Sequence, residues 1–137
     1  MAHYVFDASI CVAWCFEDET TEQVRNLFLR VCSDDRLIVP AHWPAEISNT
    51  FLQAQRRKRV TSNQVDRFWD QLDRFPFAVE PAPNVSLSKH ALRLSEKHSL
   101  TAYDGAYLEL AMRHRIPLAT LDTQLASAAK KEQITLL

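Results

Sequence analysis

Short β-branched and aromatic runs, each followed by a longer stretch of helical spacing, constrain the fold of this chain more than any other feature. Tyr4-Val5-Phe6, Leu37-Ile38-Val39-Pro40, Phe77-Ala78-Val79, Pro117-Leu118-Ala119-Thr120-Leu121 and Ile134-Thr135-Leu136-Leu137 read as strands, the last as a candidate fifth. Between them, apolar residues recur at helical intervals, as in Ile47, Phe51 and Ala54, or in Val65, Phe68, Trp69 and Leu72. Strands alternating with helices imply a parallel sheet covered on both faces. The expected fold is therefore α/β, a three-layer α/β/α arrangement with a short parallel sheet of four to five strands. At 137 residues the chain suits one domain, spanning 1–137.

Local signals place the helices. The first runs from Ser9 through Trp14, and after the acidic Glu17-Asp18-Glu19 loop a second spans about Thr21 to Val31. Pro44 sits where a first helical residue belongs, and Thr61-x-x-Gln64 opens the next helix with a capping box. A helix from about Val85 to His98 precedes one from Ala102 to about His114. Thr101-x-x-Asp104 has the form of a second capping box, and Asp122 that of an N-cap. Gly105, the only glycine, lies inside a helix, where it costs about 1 kcal/mol against alanine. Its placement suggests that something approaches the backbone closely there.

Several function classes drop out. With one glycine, neither the dinucleotide nor the nucleotide-phosphate glycine loop can be built. A net charge of −1 gives no global field for a polyanion, so any nucleic-acid contact needs a local basic patch or a bound cation. Cys11, Cys15 and Cys32 have no zinc spacing and read as reduced thiols, which fits a cytoplasmic protein. No basic, apolar leader and no run of about 20 apolar residues is present, so neither export nor a membrane span is expected.

The acids carry the chemistry. Asp7, Glu46 and Asp122 each follow a strand at the start of a helix, and residues at the carboxyl ends of parallel strands meet in one crevice. Asp104 begins a helix that can reach the same rim. Each acid also has a structural reading: Asp104 as a cap, Glu46 as a charge complementing the helix dipole. Two carboxylates about 4 Å apart repel by roughly 4 kcal/mol at an effective dielectric of 20, so four together need protons or a cation. An all-oxygen donor set selects Mg²⁺ or Mn²⁺ over Zn²⁺. Such ions activate water and stabilise the leaving oxygen of a phosphodiester.

Val5-Phe6-Asp7-Ala8-Ser9, Glu46-x-x-Asn49, Ala102-Tyr103-Asp104-Gly105-Ala106-Tyr107-Leu108-Glu109-Leu110-Ala111 and Ala119-Thr120-Leu121-Asp122 together resemble the PIN-domain family, and more narrowly the VapC-type toxins of bacterial toxin–antitoxin pairs. The resemblance spans the whole chain in the right order. It implies a Mg²⁺-dependent endoribonuclease whose acidic set is Asp7, Glu46, Asp104 and Asp122. It also implies an RNA substrate, a partner antitoxin encoded beside it, and a homodimer. Ser9 and Thr120 would lie close to the acids, either orienting a carboxylate or metal-bound water or serving as turn hydroxyls. Asn49 belongs to the same motif. Relatives usually carry alanine at the position of Gly105, which weakens the idea that glycine is required.

Arg56, Arg57, Lys58 and Arg59 offer a grip on RNA phosphates, or simply cations at a helix C-terminus. Trp14, Trp43, Trp69 and the phenylalanines read as core or partner-facing surface, His42, one turn before Glu46, as a surface or junction histidine or else one that touches the site, and Arg113 and Arg115 as helix terminators. Other classes fit less well. A haloacid-dehalogenase-like phosphatase needs D-x-D where this chain has Asp7-Ala8-Ser9, and a receiver domain needs a leading acidic pair. A non-catalytic PIN-like interaction domain would be favoured by a missing acid, and none is missing.

Overall fold

The computed structural model describes residues 1–137. In chain order the elements are β1 (His3–Phe6), α1 (Ala8–Cys15), a 3-10 turn (Glu17–Glu19), α2 (Glu22–Leu29), β2 (Arg36–Val39), α3 (Trp43–Arg56), α4 (Ser62–Asp73), β3 (Phe77–Val79), α5 (Val85–His98), α6 (Ala102–His114), β4 (Leu118–Ala119) and α7 (Thr123–Lys131). The strands form a four-stranded, all-parallel sheet in the order β3-β2-β1-β4, flanked by helices in a three-layer α/β/α arrangement. β1 and β4 are neighbours in the sheet, which brings Phe6 opposite Ala119. The residues just beyond each, Asp7 and Thr120, are thereby set side by side.

The sheet is buried on both faces, as its unbroken apolar runs require. Val5, Phe6, Leu37, Val39, Leu118 and Ala119 are all fully buried. An aromatic layer lies over α1 and α4: Trp14 stacks on Phe28 with centroids 4.7 Å apart, and Trp43 packs on Phe77 at 4.6 Å and on Trp69 at 6.3 Å. All three tryptophans are thus packed among other aromatic rings. No helix is long and apolar enough to cross a membrane.

Three expectations need correction. The candidate fifth strand is only a single parallel bridge between Leu118 and Leu136, because β4 is two residues long and offers little edge to pair with. The second helix is shorter than its apolar pattern, ending at Leu29 with Arg30 as its C-cap. Pro44 occupies the second helical position of α3, after Trp43; it still lies in the first turn, where no intrahelical N–H bond is lost.

Gly105 regains the importance that the resemblance had weakened. A Cβ at this position would stand 1.9 Å from Ser95 Oγ and 2.9 Å from the Ala91 carbonyl oxygen, both on α5. Ser95 Oγ itself donates to that carbonyl at 2.7 Å. The close approach is between α5 and α6, and glycine permits it. With no other glycine in the chain, left-handed backbone falls to ordinary residues: Ser99 ends α5 at φ 55°, and Arg115 ends α6 at φ 56°.

Candidate metal and catalytic site

Asp7 follows β1 and caps α1, its Oδ1 accepting from the Ile10 N–H at 3.1 Å. The same oxygen accepts from Ser9 Oγ at 2.6 Å, while Thr120 Oγ1 donates to Oδ2. Ser9 Oγ in turn accepts from the Leu121 N–H at 3.0 Å, and Thr120 Oγ1 from the Asp122 N–H at 2.9 Å. Two hydroxyls therefore stitch the β1–α1 junction to the β4–α7 loop and fix both carboxylate oxygens of Asp7. Asp7 is 4 % exposed. Burial pushes its carboxyl up to about 6, with Asp104 adding to the rise and the hydrogen bonds from Ser9, Thr120 and Ile10 opposing it.

Glu46 projects from the first turn of α3, half-buried. Its Oε1 accepts from the Tyr107 hydroxyl at 2.8 Å and lies 3.4 Å from His42 Nε2. Sequence reasoning passed over Tyr107. Its signal was the spacing in Tyr-Asp-x-x-Tyr, because residues three apart on a helix share a face, so Asp104 and Tyr107 point the same way. Of the two readings of His42, contact with the site is the one the structure favours: its ring packs between Tyr103 and Tyr107, with centroids at 5.4 and 5.2 Å, beside Glu46, and its buried Nε2 makes no hydrogen bond.

Asp104 lies in the first turn of α6, and only half of the expected capping box forms: Thr101 Oγ1 accepts from the Asp104 N–H at 3.1 Å. The reciprocal side-chain bond, present where Gln64 reaches back to the Thr61 N–H, is not made. The Asp104 carboxylate is raised above its usual range by burial first, then by the charges of Asp122 and Glu46. Asp122 caps α7 through Oδ1, which accepts from the Leu125 N–H at 2.9 Å. Asp104 thus lies within electrostatic reach of Asp7, Asp122 and Glu46.

They do not form a closed cage: no three Asp, Glu, His or Cys side chains converge closely enough to surround an ion. Like charges in a partly dry crevice relax apart. The arrangement suits a hydrated divalent cation, which keeps several waters and takes only one or two direct carboxylates. The donor chemistry agrees, since the acids supply hard oxygens, and the nearest thiol, Cys11, is held protonated by burial.

The remaining candidates stand apart. Asn49 is exposed, one turn from Glu46 on α3, without a hydrogen-bond partner. Arg56, Arg57, Lys58 and Arg59 lie at the far end of α3 and just beyond it, about 15 Å along the axis from Glu46 at 1.5 Å per residue. Arg59 is already engaged: it donates to Asp18 at 2.9 Å and Glu19 at 2.6 Å, and covers the Phe16 ring at 4.1 Å. It is a clamp on the 3-10 turn. It also borders a groove of about 700 Å³, lined by Trp14, Phe16 and Phe68 among others, which none of the four acids touches.

In a parallel α/β sheet, ligands bind in the crevice outside the carboxyl ends of the strands, where Asp7 lies. Residues 4–131 match the PIN domain family, and the chain belongs to it. It is 30% identical over 122 residues to Ribonuclease VapC3 of Pyrobaculum aerophilum, covering 89% of this chain and 91% of that protein. The fold is also similar to the crystal structure of PAE2754 from Pyrobaculum aerophilum, with a TM-score of 0.69 and 20% identity, over 93% of this chain and 84% of that one. A toxin–antitoxin complex from Klebsiella pneumoniae contains a similar chain, with a TM-score of 0.59 and 15% identity over 88% and 87% of the two chains.

Proposed function

We propose that this chain is the endoribonuclease toxin of a toxin–antitoxin pair, hydrolysing RNA phosphodiesters with Mg²⁺ or Mn²⁺ held by Asp7, Glu46, Asp104 and Asp122. The observation that carries this reading is the raised carboxyl of Asp7, buried and hydroxyl-clamped within the field of Asp104. A buried carboxylate within the field of another is costly as an anion, and a bound cation offsets that cost where protonation does not. When bound, such an ion supplies an acidified water and offsets charge on the phosphate.

The chain's own residues do the positioning. Ser9 and Thr120 fix the orientation of Asp7, so its oxygens present one geometry to the crevice. Tyr107 does the same for Glu46. Asp122 and Asp104 are held at helix starts, where the backbone fixes their Cα positions. Asn49 shares the helix face of Glu46 and faces solvent, free to meet substrate.

The partner and assembly follow from the same family. Ribonuclease VapC3 carries RNA cleavage in its name, and the Klebsiella complex pairs a toxin with an antitoxin; these names support the proposal of an RNA substrate and a cognate antitoxin, while the homodimer and the cytoplasmic location are proposed on the sequence alone.

The test is cleavage of structured and single-stranded RNA with and without Mg²⁺, by the parent and by Asp104→Asn. Internal cuts that disappear with EDTA and in Asp104→Asn, with an unchanged circular dichroism spectrum, support the reading. Cutting by Asp104→Asn at the parent rate would remove Asp104 from the site. Phosphate release from small esters in place of RNA cleavage would overturn the assignment.

A further inference from the structure

The acids explain how a phosphodiester would be cut but not how RNA is held beside them. The charges acting most strongly on Asp104 are Asp122 and Glu46, and the basic side chain among its main influences is His42, with no lysine or arginine. The cationic cluster at the end of α3 lies far along that helix, and Arg59 within it is spent on Asp18 and Glu19. Arg113, on α6 itself, is paired with Glu109 and Glu80. Beside the charge that a bound cation would offset, substrate grip near Asp104 is therefore open to a contact made to the bases rather than to phosphate.

Tyr103 supplies it. It is the residue immediately before Asp104, on the outer face of the first turn of α6, and its ring is 64% exposed. Nothing in the fold asks for an aromatic side chain there: Tyr103 makes no hydrogen bond and lies outside the core cluster. Yet the ring is not loose, because His42 backs it at 5.4 Å with an interplanar angle of 50°, and His42 is in turn seated on buried Tyr107. A supported, solvent-facing aromatic ring is the stacking half of sequence-tolerant single-strand binding, since every nucleobase has a π-face to stack.

We propose that Tyr103, backed by His42, is a stacking platform for an unpaired nucleobase adjacent to the scissile phosphate, and so selects single-stranded or looped RNA. The proposal rests on the ribonuclease reading above. Duplex RNA keeps its bases stacked on each other and cannot offer one to Tyr103. The platform contributes to binding and register, not to bond breaking.

The experiment compares the parent with Tyr103→Phe, Tyr103→Leu and Tyr103→Ala, using a mixed-sequence single-stranded oligoribonucleotide and Mg²⁺. Tyr103→Phe is expected to match the parent, while the Leu and Ala variants raise KM by about 5- to 100-fold, the span given by stacking energies per base, with kcat nearly unchanged. A second readout uses the same RNA carrying 2-aminopurine, bound without cutting in the Asp104→Asn background. Stacking on the ring quenches its fluorescence in the Tyr and Phe forms, and the quench is lost in Leu and Ala. A parental KM and an undiminished quench in Tyr103→Ala would overturn the proposal while metal-dependent cleavage by the parent left the ribonuclease reading standing. A Tyr103→Ala that keeps its KM but loses affinity for the antitoxin would overturn it too, reassigning the ring to a protein contact. Absence of RNA cleavage by the parent would overturn both readings together.

Discussion

The Tyr107 hydroxyl donates to Glu46 Oε1 at 2.8 Å, across 61 positions of sequence, and joins α6 to α3 over the acidic crevice. Tyr107 is fully buried, whereas the Glu46 side chain is 34% exposed. Water can therefore replace the hydroxyl as a partner for Glu46 but cannot hold it in one rotamer. Tyr107→Phe keeps the ring packing, so stability should change by less than about 1 kcal/mol. Glu46 is then no longer held in one rotamer, and a misplaced group of this kind can cost up to about 100-fold in rate, so cleavage should fall, chiefly in kcat. Single-turnover RNA cleavage beside a thermal melt separates the two effects. An unchanged rate would show that Tyr107 serves packing alone.

Gly105→Ala sets two terms against each other. Alanine gains about 1 kcal/mol of helix propensity, but the new methyl group would meet Ser95 Oγ at 1.9 Å and the Ala91 carbonyl at 2.9 Å. Ser95 can rotate; the Ala91 backbone cannot without parting α5 from α6. Overpacking of this kind costs typically about 1 to 3 kcal/mol, so the variant should be less stable by up to about 2 kcal/mol net. Ser95→Ala should restore only part, because the contacts to the Ala91 carbonyl and to the Ser95 Cβ at 3.1 Å remain. Chemical denaturation of the single and double variants decides the matter, and a stabilised Gly105→Ala would mean the helix pair is free to separate.

Arg59→Ala tests whether the basic run at the end of α3 acts as one unit. Arg59 bridges Asp18 and Glu19 and lies over Phe16, with a side chain 40% exposed. Exposed pairs contribute little and the cation–π contact about 0.5 to 1 kcal/mol, so the melting temperature should fall by a few degrees while KM for RNA stays at the parental value. A raised KM with unchanged stability would return Arg59 to RNA binding.

Periodicity and strand-to-helix junctions made the sheet legible, because buried parallel strands leave unbroken apolar runs, and Asp7, Glu46 and Asp122 each follow one of them. Asp104 follows no strand, and only the reach of its helix and the motif resemblance joined it to the other three. What sequence alone left obscure depends on side-chain direction. His42 lies one turn before Glu46 on the same helix, but Tyr107 reaches Glu46 from α6, 61 positions away, a contact no local pattern announces. Arg59 looked like a free cation until the 3-10 turn brought Asp18 and Glu19 against it. Gly105 looked dispensable by comparison with relatives because the distance between α5 and α6, which makes it necessary here, is a property of the packing and not of the motif.

Asp7 should trade stability for activity, and pH exposes the exchange. Its carboxyl rises from 3.8 to about 6 in the folded chain through burial. Between those values the native state holds a proton that the unfolded chain has released, so without metal the contribution of Asp7 to stability falls as pH rises through this window. Above about pH 6 the folded chain carries a buried anion, at a cost of about 3 kcal/mol if the full difference applies. Asp7→Asn removes the charge while keeping the shape. In EDTA at pH 8 the variant should therefore melt above the parent, by up to about that free energy, and the gap should close below about pH 4. Mg²⁺ should raise the melting temperature of the parent more than that of the variant, and the variant should not cleave RNA. If Asp7→Asn melts below the parent at pH 8 in EDTA, the hydrogen bonds from Ser9, Thr120 and Ile10 outweigh the burial of the charge, and Asp7 is better understood as a structural cap.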